Sequence, residues 1–120
     1  MTHLMIYEKR TCSTCRKLSA LLDERGIEAE HVQYHVEGID EATIRELLGK
    51  AGIGPREALR VREPLVAELG LQDEARYGDD ELIALMAEHP ELLQRPIVVR
   101  GDRAVLARPV ERVLELLDDA

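Results

Sequence analysis

Apolar positions in this chain repeat with two different periods, and each change of period marks a new element. His3 to Tyr7 ("HLMIY") is a short apolar run of strand length. Leu18, Leu21 and Leu22, with Cys15 one turn earlier, fall at helical spacing, and Gly26 is the natural stop for that helix. Glu28 to Val36 ("EAEHVQYHV") alternates and reads as a second strand. The opening is therefore a βαβ unit, with a cysteine-bearing loop between its first strand and its helix. "GIDEATIRELLGKAG" is a marked helix: Asp40 reads as its N-cap, Ile39 and Ile44 as a hydrophobic staple, and Gly52 as its end. Its buried stripe is Ile44, Leu47, Leu48 and Ala51. "PREALR" and "EPLVAELG" each read as a short helix opened by proline, and "DDELIALMAEHP" as a helix with an Asp cap that stops at His89 and Pro90. "PIVV" and "AVL" flank Arg100 to Arg103, and Gly-Asp between apolar runs signals a tight hairpin. The last helix begins near Pro109, with Val110, Val113, Leu114 and Leu117 on one face.

The element order, βαβ, a block of short helices, then ββα, predicts an α/β fold with a four-stranded mixed sheet. That is the thioredoxin-like arrangement, with a helical insertion between its halves at about residues 40–90. Residues 1–120 read as a single domain, since a chain of 120 residues leaves little room for a second core.

Composition narrows the chemistry. Hydrophobic residues make up 45% of the chain, but there are three Tyr and no Phe or Trp, so the core must be aliphatic and a base-stacking surface is not expected. A formal net charge of -8 argues against nucleic-acid or acidic-membrane partners, and any anion site must be built locally. Arginine is the material for it: among 16 basic residues the only lysines are Lys9, Lys17 and Lys50. No signal-peptide pattern and no membrane-length apolar stretch is visible, which predicts a cytoplasmic, reducing setting. There, two cysteines read as catalytic or redox-active before they read as a staple.

Both cysteines stand in "RTCSTCRK", two residues apart. Cys12 falls at the N-terminal edge of the first helix, where free backbone N–H groups from Ser13 to Arg16 and the positive helix end favour a thiolate. The same N–H groups can cradle an oxyanion. Cys12 is thus the expected reactive thiol, and Cys15, one turn in, the less exposed one. As a metal site the pair is only half a zinc set, and His3, His31, His35 and His89 are scattered, so no metal is expected.

"CSTCRK", "REALR", "HPELLQRPIVV" and "ARP", in this order and over nearly the whole chain, resemble the arsenate reductase family of the glutaredoxin-coupled type, within the ArsC/Spx superfamily. The resemblance implies a nucleophilic Cys12 and an oxyanion site made by Arg60, Arg95 and Arg108. It adds Arg16 from the cysteine loop, and a cis bond before Pro96, facing the cysteine. It implies no tightly bound cofactor, and glutathione with a glutaredoxin or thioredoxin-type reductant as partner. The implied chemistry is attack of Cys12 on arsenate, displacement of arsenite by glutathione, and clearance of the mixed disulfide by glutaredoxin. Two departures stand out. Cys15 occupies a position where many such members carry Ser, which opens the way to an intramolecular disulfide, and Glu8 stands where His or Asn is common.

Three functions compete on these residues. The first is a thiol-dependent reductase, an arsenate reductase above all. The second is an Spx-like redox-sensing transcriptional regulator with a Cys12–Cys15 switch. The third is a general thiol-disulfide reductase. The three arginines favour the first, because a switch has no need to hold an oxyanion and a disulfide reductase needs an apolar docking surface.

Overall fold

The computed structural model describes residues 4–9 and 12–117. Four strands form one mixed sheet in the order β2-β1-β3-β4. β1 (Leu4–Glu8) runs parallel to β2 (Ala29–Gln33) and antiparallel to β3 (Ile97–Arg100), which pairs in turn with β4 (Arg103–Leu106). The first strand lies one residue later than the run 3–7 expected from sequence, and His3 falls outside the described residues.

The side-chain period of two along the strands divides the core between the sheet's faces. Leu4 and Ile6 of β1 point to one face, with Val98 and Val105. They pack there on Leu18 and Leu22 of α1 (Ser13–Glu24) and on Val110, Val113 and Leu116 near the C-terminus. Met5 and Tyr7 point the other way, with Ile97, Val99 and Ala104. They meet Ile44, Leu47 and Leu48 of α3 (Glu41–Ala51) and Leu82, Ile83 and Met86 of α6 (Asp79–Glu88). Each fully buried aliphatic side chain contributes about 1.5–3 kcal/mol, so the two layers together hold β1 and α1 in place. Helix α1 is closed by a Schellman turn: Gly26 takes φ +67°, its N–H bonds Asp23 O, and the Ile27 N–H bonds Leu22 O.

The sequence placed most elements and misjudged some ends. Strand β2 stops at Gln33, and Tyr34–Glu37 form the short helix α2 instead of continuing to Val36. The reason is loss of a partner: Gln33 pairs with Glu8, the last residue of β1, and beyond it the neighbouring chain leaves for the cysteine loop. Tyr34 is then buried, donating its hydroxyl to Leu93 O at 2.7 Å. Asp40 caps α3 through Thr43 N at 2.8 Å, but α6 begins from Gly78 with Asp79 as its first residue. There the Glu81 carboxylate accepts from Gly78 N, satisfying the N-terminus without an Asp cap. The chain after Pro109 is a 3₁₀ turn (Val110–Val113) running into α7 (Leu114–Leu117), and this change of pitch buries Leu116 instead of Leu117. The remaining insertion comprises α4 (Pro55–Ala58) and α5 (Pro64–Leu69).

Candidate active site

Cys12 is the N-cap of α1. Its backbone is extended (φ −74°, ψ 126°), its N–H bonds Lys9 O at 2.9 Å, and its carbonyl accepts from Arg16 N at 3.1 Å. The Arg16 N–H is thereby used within the helix, while those of Thr14 and Cys15 reach the Cys12 sulfur. Partial burial alone would push the Cys12 thiol up. The Cys15 N–H and S–H, the Thr14 N–H and the Arg95 guanidinium outweigh it and bring the thiol down to about 7. Cys15, 2% exposed, is the opposite case. Burial pushes it up to about 12 against a hydrogen bond from the Lys9 backbone, helped by its bond to Cys12 and by the charges of Cys12 and Glu8. The two sulfurs are free thiols in the structure, and they are not equivalent.

This asymmetry predicts a titration. Alkylation of Cys12 by iodoacetamide should follow a single rise with pH centred at about 7, because only the thiolate reacts. Cys15→Ala removes the S–H donor and should move the midpoint upward. A midpoint near 9, or no movement in the variant, would contradict the assigned hydrogen bonds.

Three separate segments bring guanidinium groups to this thiolate. The linker after α4 is stitched to the segment before β3: Arg60 N bonds Leu92 O at 2.7 Å, Gln94 N bonds Ala58 O at 2.8 Å, and Leu59 bridges Leu93. Arg60 reaches Gln94 Oε1 at 3.3 Å and Glu63 Oε1 at 3.2 Å. Arg95, 3% exposed, follows directly in the second segment, and Arg108 Nη1 from the third donates to Arg95 O at 2.8 Å. Both Arg95–Pro96 and Arg108–Pro109 are cis. A cavity of about 350 Å³ opens between them, walled by Cys12, Ser13 and Thr14 on the helix side. Lys9, Arg60, Arg62, Arg95 and Arg108 complete the wall. Among the described residues, five basic side chains and no carboxylate line it, in a chain of net charge -8.

Arg95 is the centre of the basic wall. Its Nη1 lies 3.4 Å from both His35 Nε2 and Glu91 O, and its Nη2 lies 4.0 Å from Glu63 Oε1. An arginine has donors only, so His35 Nε2 must accept and Nδ1 must carry the proton. Burial, then the Arg95 and Lys9 charges, lower the His35 imidazole from 6.5 to about 4, against smaller opposing effects of Glu91 and Glu63. A depressed folded-state value means that the native protein favours neutral His35. The resulting stability is present above about 6.5 and is lost as the pH falls toward 4. Urea midpoints measured across that window should fall more steeply in the native chain than in His35→Gln; parallel curves would contradict the contact. Arg95 Nε is buried without a partner among the described residues. An oxyanion entering the cavity can supply the missing acceptor.

Not every residue expected at the site is there. Arg16 is exposed and lines a second cavity with Cys15, Ser19 and His31, because α1 turns positions 15, 16 and 19 toward β2. Lys9 and Arg62 line the basic cavity without having been singled out from sequence, and Glu63 and His35 stand behind its arginines. Arg62 had a weak signal, lying two residues from Arg60 in an irregular segment. Lys9 had another, three residues before Cys12.

A stabilised thiolate at a helix N-terminus of a thioredoxin-like sheet, facing a cavity walled by guanidinium groups, is an arrangement suited to thiol chemistry on an oxyanion. The ArsC family model matches residues 7–116. The chain is 41% identical over 113 residues to the uncharacterized protein YfgD of Escherichia coli K12, covering 93% of this chain and 94% of that protein. It is 36% identical over 118 residues to an arsenate reductase of Neisseria meningitidis, covering 98% and 100%. Among solved structures, an arsenate reductase from Vibrio cholerae superposes with a TM-score of 0.90 at 37% identity, over 95% of this chain and 97% of that one. The chain belongs to the ArsC family.

Proposed function

We propose that this ArsC-family chain is an arsenate reductase, with Cys12 as nucleophile and Arg60, Arg95 and Arg108 as the oxyanion clamp. The observation that carries the reading is the meeting of the Cys12 thiolate and five basic side chains in one cavity. An arsenate dianion approaching a thiolate meets repulsion of about 4 kcal/mol per charge pair at 4 Å in a partly buried site. Each guanidinium at similar range opposes it by a comparable amount, so several are needed and one is insufficient. Arginine also offers paired donors to tetrahedral oxygens, which fixes the arsenic in line with the sulfur.

In the first step the Cys12 sulfur forms a bond to arsenic, and an arsenate oxygen leaves as water after taking up two protons. The resulting Cys12–arsenate adduct is anionic and remains within the clamp. A second thiol then attacks the Cys12 sulfur. The electron pair of the S–As bond goes to arsenic, arsenite departs, and a disulfide remains on Cys12. Glutathione is one source of that thiol and Cys15 the other, with a glutaredoxin or a thioredoxin-type protein restoring Cys12. No step calls for a tightly bound cofactor. No helix among the described residues is long and apolar enough to cross a membrane, and a cytoplasmic reducing setting suits two free thiols.

The general disulfide-reductase reading fits less well, since it needs an apolar surface at the thiolate and the wall there is basic. Arsenite formation is the test, with glutathione plus glutaredoxin and a thioredoxin system supplied in turn. Steady turnover with either system is expected. Absence of arsenite with both would overturn the proposal.

A further inference from the structure

Glu8 is a buried carboxylate for which the oxyanion cavity has no use. It ends β1 at 6% exposure. Its Oε2 accepts from Gln33 Nε2 at 2.8 Å and lies 3.1 Å from His31 Nδ1, while Oε1 is buried without a hydrogen-bond partner among the described residues. A buried carboxylate oxygen lacking a donor costs free energy that packing does not return. Its surroundings suggest what that oxygen serves. Glu8, Cys15, Ser19, His31 and Gln33, with Arg16 at the rim, line a cavity of about 310 Å³. This cavity shares no lining residue with the arginine cavity, so Cys12 and Cys15 face separate chambers. Among the described residues, Cys15 is the only one that brings a sulfur to the second. Held up at about 12 by burial, its bond to Cys12 and the nearby charges, that thiol does not ionise by itself at neutral pH. It can attack a disulfide or an adduct only if a base removes its proton as the new S–S bond forms.

We propose that Glu8, held by Gln33 and His31, is the proton acceptor for Cys15 and releases the proton to solvent through the cavity, so that Cys15 resolves the Cys12 adduct from inside the chain. This rests on the reading of Cys12 as the nucleophile. The Cys15 sulfur bonds to the Cys12 sulfur, and the S–As pair stays with arsenic, which is reduced as the two thiols are oxidised. The Cys15 proton goes to Glu8 Oε1, directly or through one water in the cavity. Gln33 and His31 fix Oε2 and leave Oε1 for this transfer. Glu8 then gives that proton to water in the cavity, which meets solvent beside His31, whose side chain is 43% exposed. The product is an internal disulfide, the form that a dithiol protein reductant opens by exchange. Glutathione is then dispensable for the first turnover.

The test uses a chromogenic aromatic disulfide in place of arsenate. In the native chain Cys12 should release one coloured thiolate in a phase that scales with reagent concentration. Cys15 should then release the second in a phase independent of it. Glu8→Gln should slow the second phase by about 10²-fold, the scale of a lost general base, and leave the first nearly unchanged. The second phase of the native chain should also be slower in deuterium oxide, a readout that a purely structural role for Glu8 would not move. If Glu8→Gln fails to fold, the isotope effect and a slowed second phase in His31→Gln still decide. A native-like second phase in Glu8→Gln, no isotope effect, or no second phase at all overturns the proposal. None of these outcomes touches the arsenate reading, and absence of arsenite with both phases intact would refute arsenate reduction alone.

Discussion

Replacing Cys12 with Ser should lower kcat/KM for arsenate by at least about 10⁴, the scale on which loss of a covalent nucleophile acts. The hydroxyl retains the size and the place at the α1 N-cap, so the fold and the arginine cavity remain. What is lost is the charge. The hydrogen bonds from Cys15, Thr14 and Arg95 that bring the thiol to about 7 cannot make a serine hydroxyl ionise at that pH. Arsenate binding, followed by calorimetry, should survive in Cys12→Ser and tighten somewhat, because the thiolate repels the ligand. A variant that reduces arsenate within tenfold of the native rate would show that another group attacks arsenic.

Arg95→Ala should cost about 10²–10³ in kcat, the range for removing one preorganised donor to a developing oxyanion, and should also move the Cys12 alkylation midpoint upward. The double effect follows from its position. The Arg95 side chain stabilises the Cys12 thiolate and lines the cavity, whereas its backbone carbonyl, which accepts from Arg108 at 2.8 Å, survives the substitution. Loss of the guanidinium also leaves Glu63 with Arg60 alone, so the remaining clamp is less positive and less fixed. Arg95→Lys should recover little, since one ammonium cannot reach the acceptors that a buried guanidinium spans. Circular dichroism separates this loss from unfolding, and paired kcat and midpoint measurements test it. A normal midpoint with reduced kcat would confine Arg95 to substrate; normal values of both would remove it from the site.

Much of this was legible in the chain before any coordinates. The pattern placed the sheet strands and the main helices, because a central strand buried on both faces reads as the apolar run Met5–Ile6–Tyr7, and the 3.6-residue stripe of α3 follows from burying one face. Element ends were harder. Whether Tyr34 continues a strand depends on whether β1 still runs beside it, and nothing local to Tyr34 says that it does not. At the site, Cys12 was legible from its place between strand and helix, and Arg60, Arg95 and Arg108 from the family resemblance. Arg16 was assigned to the oxyanion by the same resemblance, whereas the helix carries its side chain to the other chamber. Arg62, His35 and Glu63 were missed because their proximity is created by pairings far apart in sequence, such as Ala58 with Gln94 and His35 with Arg95, whereas Lys9 is local to Cys12 and was passed over. Glu8 stood out as a departure from the His or Asn common in the family. In the fold it lines a cavity with Cys15 and Arg16, apart from Arg60, Arg95 and Arg108.

The central claim is that one ionised sulfur, Cys12, attacks arsenic inside the basic cavity. Rapid mixing of the reduced protein with excess arsenate and glutathione, with arsenite quantified by quench, tests it most directly. The account predicts an initial release of one arsenite per Cys12, whose amplitude disappears after alkylation of that thiol and whose rate rises with pH about a midpoint near 7. Arsenite formed at an unchanged rate by the Cys12-alkylated protein would contradict it.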